Sequence, residues 1–284
     1  MTIIEKSLIG KKSQETCEDG IVITNDFVAV IDGSTSKTSR QVCKGISNGR
    51  YAMLLISDYL MHAEPDLSLK EICMGMTIKL SDASPLATPP STLLPHERMA
   101  ASVALYSRHY QQIWLIGDCQ AMVVVHHEKG SSQYLTTNDK PIEAINAGKR
   151  SRYILQALST GASIKDFQIN DTGREVILND IITSMKEQNK DYAVVDGTPI
   201  AIDKVVVISL PPAGTAYDII LATDGYPFLH ATLQESEEHL QRQLREDPLC
   251  INTFKATKGL MKGCNSFDDR AYIRFHNSSY NKPL

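Results

Sequence analysis

The 284-residue sequence lacks the patterns that mark several common classes of protein. No apolar run approaches the roughly 18 residues needed to span a bilayer. The first ten residues lack the apolar core of about 7–15 residues found in a signal peptide. The formal net charge of −4 gives no basic surface for nucleic acid. We therefore expect a soluble, cytoplasmic protein that binds neither nucleic acid nor membrane.

The six cysteines are scattered, and none forms a C-x-x-C pair. This favours small buried apolar residues over a disulfide framework. Cys264 and Arg270 have the spacing of the cysteine-nucleophile phosphatases, but Asp268 and Asp269 lie inside that loop and would repel a phosphate dianion. The chain also lacks a G-x-x-x-x-G-K phosphate loop and an H-E-x-x-H zinc motif.

Acidic residues stand at the ends of predicted strands along almost the whole chain. They are Glu18-Asp19, Asp32-Gly33, Asp118, Asp224-Gly225 and Asp268-Asp269. Carboxylates gathered at one edge of a sheet repel one another by roughly 4 kcal/mol per close pair at an effective dielectric near 20. A pair of hard divalent cations would relieve that repulsion. The alternative is a set of ordinary strand ends with solvated acids.

The first acids belong to a predicted hairpin. Residues 20–24 and 27–31 are β-prone runs separated by the polar pair at 25–26. With the turn centred on that pair, Asp19 lies opposite Asp32 and Glu18 lies beside it. Opposed like charges destabilise a bare ladder, so a bound cation would explain the pairing.

A second pair of predicted strands brings acids together near the C-terminus. The apolar run 217–223 ends at Asp224, and the alternating run 271–275 begins just after Asp268. If these strands are antiparallel neighbours, Asp224 and Asp268 meet at one edge. Asp118 follows another apolar run in the same way.

The rest of the chain reads as a mixture of helices and strands. Helical patterns cover 39–62, 68–81, 141–158, 175–189, 232–245 and 251–261, and the second opens on a capping box. Further strands are predicted at 100–107, 112–117, 120–127, 192–195 and 204–208. The proline-rich stretch 85–95 is no domain linker, because ligands on both sides of it must share one site. We predict a single domain over 1–278 with a tail at 279–284.

Taken in order, the motifs resemble those of the PP2C (PPM) family of metal-dependent protein phosphatases. The matching segments are Cys17-Glu18-Asp19-Gly20, Val28-Ala29-Val30-Ile31-Asp32-Gly33, Leu115-Ile116-Gly117-Asp118-Cys119, Ile220-Leu221-Ala222-Thr223-Asp224-Gly225 and Ser266-Phe267-Asp268-Asp269. The chain is identified as a divergent, bacterial-type member. The resemblance implies an α+β fold: a four-layer αββα sandwich, with two central antiparallel β-sheets flanked by helices. It also places residues 159–203 where relatives have a variable flap beside the site.

The resemblance implies two Mg²⁺ or Mn²⁺ ions, and oxygen-only ligands without histidine independently favour such hard ions. The implied metal ligands are Glu18, Asp19, Asp32, the carbonyl of Gly33, Asp224 and Asp268, with Asp118 as a weaker ligand of a third ion. Asp32 would bridge the two ions. The residues implied to act in catalysis are Asp32, Asp19 and Asp224. The centre would activate water for in-line attack on phosphorus.

The sequence departs from the family pattern at two positions near the site. Relatives carry a phosphate-binding arginine four residues before the glutamate of the first motif, and here that position is Gln14. Lys11, Lys12 or Lys37 could supply the missing positive charge. The last motif ends in Asp269, where asparagine is usual.

The resemblance implies a protein serine/threonine phosphatase that acts on phosphoserine or phosphothreonine in a phosphoprotein, with a kinase as a plausible partner. One alternative is a catalytically weak or inactive pseudophosphatase that binds phosphoproteins in signalling. The other is a structural or interaction domain whose acids are all solvated.

Overall fold

In the residues that the computed structural model describes (1–35, 37–138, 140–212 and 214–276), ten strands form two antiparallel five-stranded sheets. Elements are numbered in chain order. Sheet A contains, from edge to edge, β1 (Thr2–Ile9), β10 (Arg270–His276), β9 (Tyr217–Ala222), β6 (Gln120–His127) and β7 (Gly130–Thr136). Sheet B contains β2 (Asp19–Ile23), β3 (Phe27–Gly33), β4 (Ala101–Ser107), β5 (Gln112–Ile116) and β8 (Val206–Ser209). The predicted tail 279–284 lies outside the described residues.

The helices cover the outer faces of the two sheets. They are α1 (Asn48–Met61), α2 (Leu69–Ala83), α3 (Pro141–Ser159), α4 (Ile164–Ile169), α5 (Thr172–Ser184) and α6 (Leu233–Glu246). Apolar side chains of α1 and α2 share a core with one face of sheet B. Leu240 and Leu244 of α6 pack on sheet A. The predicted four-layer αββα sandwich is confirmed.

Strand β3 shows why the chain forms two packed sheets. Val28 and Val30 point into the core between the sheets, whereas Phe27, Ala29 and Ile31 point toward α1 and α2. All five are buried. A strand covered on both faces needs a continuous apolar run, and residues 27–31 supply it.

The predicted strand pairings that position the acids are confirmed. In the β2–β3 hairpin Asp19 lies opposite Asp32 and Ile23 opposite Val28. Strands β9 and β10 are antiparallel neighbours, with Ala222 opposite Tyr272. The acids that follow or precede these strands therefore lie at one end of the sandwich.

Two predicted elements were wrong, and the first helix was predicted to begin too early. The helix predicted from residue 39 begins only at Asn48, where Ser47 caps it, and the preceding Gly45 has a positive φ of 82°. Residues 192–195 make an isolated bridge from Val195 to Ala101 instead of a strand. Residues 251–261, all of them described, form bends and irregular loop instead of a helix, because the Asp247 carboxylate accepts hydrogen bonds from the backbone amides of residues 251–253. Such side-chain acceptors compete with helix formation.

Other elements were missed or displaced. Strands β1 and β7 and the short helix α4 had no counterpart in the sequence analysis. Helix α5 starts at Thr172 and ends at Ser184, a few residues before the predicted bounds. The capping box predicted for the second helix is confirmed, with Ser68 and Glu71 bonded to each other's backbone amides. Among the described helices, none has the length and apolar character required to cross a membrane.

A buried ion pair ties α3 to the start of α5. Arg150 is fully buried, and its Nη2 lies 2.7 Å from Oδ2 of Asp171. The same guanidinium donates to the carbonyl oxygens of Leu249 at 2.8 Å and Ala256 at 3.1 Å. This arginine therefore also anchors the loop that follows α6.

We predict that Arg150→Met lowers the free energy of unfolding by about 3–5 kcal/mol, because it leaves the Asp171 carboxylate buried without a partner. The matched control is Lys149→Met. Lys149 is the neighbouring residue, and its ion pair with Asp180 also joins α3 to α5, but both side chains are more than 40% exposed. We expect the control to change stability by less than about 1 kcal/mol. Urea denaturation measures both, and equal losses would contradict the assignment.

Candidate metal centre

The hairpin places Glu18 and Asp19 at the end of sheet B. Each Glu18 carboxylate oxygen accepts a hydrogen bond of 2.6 Å, one from the Thr35 hydroxyl and one from the Ser47 hydroxyl. Asp19 accepts a 2.6 Å hydrogen bond from the Thr223 hydroxyl of sheet A, next to Asp224. Both acids are buried. They therefore link the two sheets and the start of α1 at this end of the sandwich.

Two glycines allow the acids to approach one another. A Cβ on Gly33 would lie 2.2 Å from the carbonyl oxygen of Gly49 and 2.7 Å from that of Glu18. Gly117 has a φ of +89°, and a Cβ there would lie 2.2 Å from the Ser102 hydroxyl. Because β-carbons would collide at both places, glycine is required beside the acids at 32 and 118.

The acids converge on one cavity of about 150 Å³. Its wall contains five carboxylates, from Asp32, Asp118, Glu143, Asp224 and Asp268. The four aspartates come from four separate motifs between residues 32 and 268, so the fold brings these distant acids to one cavity. Glu143 belongs to α3 and was missed by the sequence analysis. Glu18 and Asp19 are buried beside Asp32 and do not form part of the cavity wall.

Four cationic side chains line the same cavity. They are Lys37, Lys140, Arg174 and Lys258. The Lys140 ammonium lies 2.8 Å from the Asp118 carboxylate, and that of Lys258 forms an ion pair with Asp268. Sequence reasoning missed Lys140, Arg174 and Lys258, since none of them follows a strand or belongs to a motif.

Asp269, the departure from the usual asparagine, has a structural role. One carboxylate oxygen accepts from the backbone amide of Lys11 at 2.7 Å, and the other from that of Glu18 at 3.1 Å. The Lys11 side chain lies 3.0 Å from Asp268 and 3.4 Å from Asp269. A carboxylate at position 269 thus holds the first motif against the last one.

The residues predicted to bind phosphate occupy different places. Gln14 is exposed, its side-chain oxygen accepts from the amide of Gly10, and it is not part of the cavity wall. Lys12 is exposed as well. Lys37 does line the cavity, where its ammonium donates to the carbonyl of Thr35. Burial and then the charge of Arg174 lower the pKa of Lys37 to about 7.

Crowding shifts the pKa values of the buried acids. Burial, and then the negative charges of Asp224, Asp19 and Asp118, raise the pKa of Asp32 well above its ordinary value. Burial also raises the pKa of Asp19 to about 8, although the Thr223 hydrogen bond opposes it. Asp118 differs: burial disfavours its charge, but Lys140 and Ser102 outweigh burial and lower its pKa to about 2. Of these three acids, Asp118 is the one that pairs with an ammonium, and it is the one whose pKa is lowered.

The donor chemistry suits a hard divalent ion, because every candidate ligand is an oxygen. The carboxylates of the cavity lie farther apart than the ligands of a bound metal ion. Across the described ranges, the only set of three histidine, cysteine or carboxylate ligand atoms within 4.8 Å of one another is that of His126, Asp218 and His276. Those residues lie at the other end of sheet A, and Arg274 already binds the Asp218 carboxylate at 2.6 Å. The ligand atoms of Asp32, Asp224 and Asp268 do not all lie within 4.8 Å of one another.

Comparison with known proteins gave matches among solved structures only. No family model and no curated protein matches the sequence. The chain is similar to the Mycobacterium tuberculosis serine/threonine phosphatase PstP/Ppp, with 12% identity, a TM-score of 0.47 and coverage of 99% of this chain and 100% of that one. It is similar to the PPM Ser-Thr phosphatase MsPP from Mycobacterium smegmatis, solved with cacodylate, with 14% identity, a TM-score of 0.46 and coverage of 98% and 100%. For the serine/threonine phosphatase Stp1 from Staphylococcus aureus the values are 13%, 0.41, 96% and 94%. With TM-scores below 0.5, these similarities transfer neither an activity nor a metal to this chain.

We predict that Asp32→Asn stabilises the metal-free protein, because it removes a carboxylate whose charged form is disfavoured by burial and by its neighbours. In chelator the variant should melt roughly 2–4 °C higher than the wild type, the shift that about 1 kcal/mol produces in a chain this size. For an acid whose pKa is raised, the destabilisation grows as pH rises above the ordinary pKa. The gain should therefore be larger at pH 9 than at pH 5. Asp203→Asn, at an exposed position, is the control, and a variant that melts lower at both pH values would refute the crowding.

Proposed function

We propose that this chain is a metal-dependent phosphomonoester hydrolase of the PP2C (PPM) family that dephosphorylates phosphoserine or phosphothreonine in a protein substrate. The observation that carries the proposal is the cavity in which five carboxylates, four of them from separate acidic motifs, face four cationic side chains. Carboxylates can hold metal cations, and cationic side chains in the same cleft can hold a phosphoryl group beside them.

Within this proposal each acid has a place. Glu18, Asp19, Asp32 and the carbonyl of Gly33 would hold one ion, partly through water. Asp32, Asp224 and Asp268 would hold a second. Bound Mg²⁺ or Mn²⁺ would supply a nucleophilic water near neutral pH and offset charge on the phosphoryl oxygens.

A third ion would draw on the other side of the cavity. Asp118 and Asp224 are the acids proposed to hold it. Lys140 forms an ion pair with Asp118 in the metal-free protein, so this position starts with a cation already beside it.

The chain's own cations would bind the substrate. Lys37 and Arg174 line the cavity, and Arg174 is fixed by donating to the carbonyl oxygen of Thr257 at 2.8 Å. We propose that they take the role of the missing arginine, because Gln14 is uncharged and lies outside the cavity. Arg174 belongs to the flap-like segment 159–203, which supports a role for that segment in admitting the phosphorylated residue.

The extent of the functional unit is also a proposal. We infer that residues 1–278 act as one domain, because the described N-terminal and C-terminal strands β1 and β10 pair with each other. The acids of one cavity come from both halves of the chain as well. A kinase whose phosphorylation this protein reverses is the partner that such an activity would require.

Two observations favour a second function. Lys258 already holds Asp268 by an ion pair, and Gln14 replaces a phosphate-binding arginine, so a pseudophosphatase that binds phosphoproteins without turnover would have the same fold. A purely structural domain is less well supported, because solvated turn acids would have no need of a shared cavity.

We predict that the protein hydrolyses para-nitrophenyl phosphate only with Mn²⁺ or Mg²⁺, and that Asp32→Asn lowers kcat/KM by at least roughly a hundredfold, since it removes the proposed bridging ligand. Asp203→Asn should retain the wild-type rate. Calorimetric titration with Mn²⁺ runs in parallel. If the protein binds Mn²⁺ without turnover, the pseudophosphatase hypothesis replaces the phosphatase hypothesis. If it neither binds Mn²⁺ nor hydrolyses the substrate, only the structural-domain hypothesis remains.

A further inference from the structure

Lys258 carries a positive charge into the part of the cavity where the proposed second ion belongs. Its ammonium forms an ion pair with the Asp268 carboxylate, and both residues line the cavity together with Asp32 and Asp224. The Asp268 side chain is only 8% exposed. A divalent ion that takes Asp268 as a ligand must therefore replace an ammonium that is already bound there.

The position of Lys258 is determined by the fold. The carbonyl oxygen of the preceding Thr257 accepts a 2.8 Å hydrogen bond from Arg174. On the other side, the amide of Leu260 donates to the carbonyl oxygen of Pro248 at 2.8 Å. Between them, a Cβ on Gly259 would lie 2.9 Å from the buried Arg150 guanidinium. Hydrogen bonds on both sides of the loop therefore hold the backbone of Lys258 beside the cavity, unlike that of a lysine on a free surface loop.

The two proposed ion positions differ in this respect. The carboxylate oxygens of Glu18 accept hydrogen bonds from the neutral hydroxyls of Thr35 and Ser47. Asp268 instead has two ammonium groups, since Lys11 lies 3.0 Å from its other oxygen. Lys11 has a second partner in Asp269 at 3.4 Å and can remain near it if Asp268 turns away. Lys258 is thus the group that a cation at the second position has to displace.

We propose that Lys258 is a tethered counter-cation of the second ion position: it neutralises Asp268 in the metal-free protein and must leave that carboxylate before a second divalent ion binds. The inference rests on the proposed function, because it assumes the two ion positions. It makes the two positions unequal. The first ion binds to ligands without a competing ammonium, and the second binds weakly until Lys258 is displaced.

The test is calorimetric titration of the full chain with Mn²⁺ in the absence of substrate. We expect two binding events in the wild type and a second dissociation constant at least about tenfold lower in Lys258→Met, which keeps the length of the side chain and removes its charge. Lys258→Arg, which retains the charge, should behave as the wild type does. Lys262→Met is the matched control, because this neighbouring lysine is exposed and does not line the cavity.

Melting temperatures show whether Lys258 acts in the cavity or only supports the fold. In chelator Lys258→Met should melt below the wild type, because Asp268 then loses a cation, and saturating Mn²⁺ should raise its melting temperature by more than it raises that of the wild type. If Lys258 only supports the fold, Mn²⁺ should raise the melting temperatures of the variant and the wild type equally.

A measurement on the wild type tests the inference even if the Lys258 variants do not fold. Lysines labelled by ¹³C reductive methylation report the environment of each amine by NMR. The Lys258 signal should shift with the second Mg²⁺ equivalent, and the Lys262 signal should remain in place. An unchanged second dissociation constant in Lys258→Met, or a stationary Lys258 signal, would overturn the inference and leave the phosphatase proposal intact. A wild type that binds no Mn²⁺ or Mg²⁺ would instead overturn the proposed function.

Discussion

Mutual repulsion among carboxylates at one end of two packed sheets is the constraint on which this molecule depends. Pairing Asp19 with Asp32 across a ladder places like charges side by side, and the neighbouring β9–β10 edge adds Asp224 and Asp268. Backbone pairing and apolar burial in the rest of the sandwich keep them there. Lysines offset part of the repulsion at Asp118 and Asp268, and burial together with the neighbouring acids raises the pKa values of Asp19 and Asp32. Clustered carboxylates do not stabilise the fold. We therefore interpret the cavity as a site for cations.

The acids of the cavity have partners within the chain itself. Asp118 is held by Lys140, Asp268 by Lys11 and Lys258, and Asp269 by backbone amides of the first motif. Only part of the acid cluster is therefore left without a nearby counter-charge. On the proposed function, ion binding at Asp268 would exchange one cation for another, and its strength would depend on Lys258, which belongs to none of the acidic motifs.

Local patterns predicted the part of the fold that positions the acids. The polar turn at 25–26 determined the register of the hairpin, and the apolar runs that end at Asp118 and Asp224 were recognisable because buried strands need continuous apolar residues. The prediction of a helix at 251–261 was wrong because the carboxylate of Asp247, which closely precedes this segment, accepts hydrogen bonds from the amides of residues 251–253. Strand β7 was missed because its exposed, polar edge sequence has no apolar alternation. Lys140, Arg174 and Lys258 could not be predicted, since their place in the cavity comes from tertiary packing and no motif marks them.

The central claim is that distant acids are brought together to hold divalent ions. Anomalous diffraction from crystals grown with Mn²⁺ tests it most directly. The account predicts an anomalous peak within about 2.5 Å of a carboxylate oxygen of Asp32, in the cavity shared with Asp224 and Asp268, and a Lys258 ammonium withdrawn from Asp268 wherever a second peak appears. A cavity without a peak, or Mn²⁺ bound at His126, Asp218 and His276 instead, would contradict it.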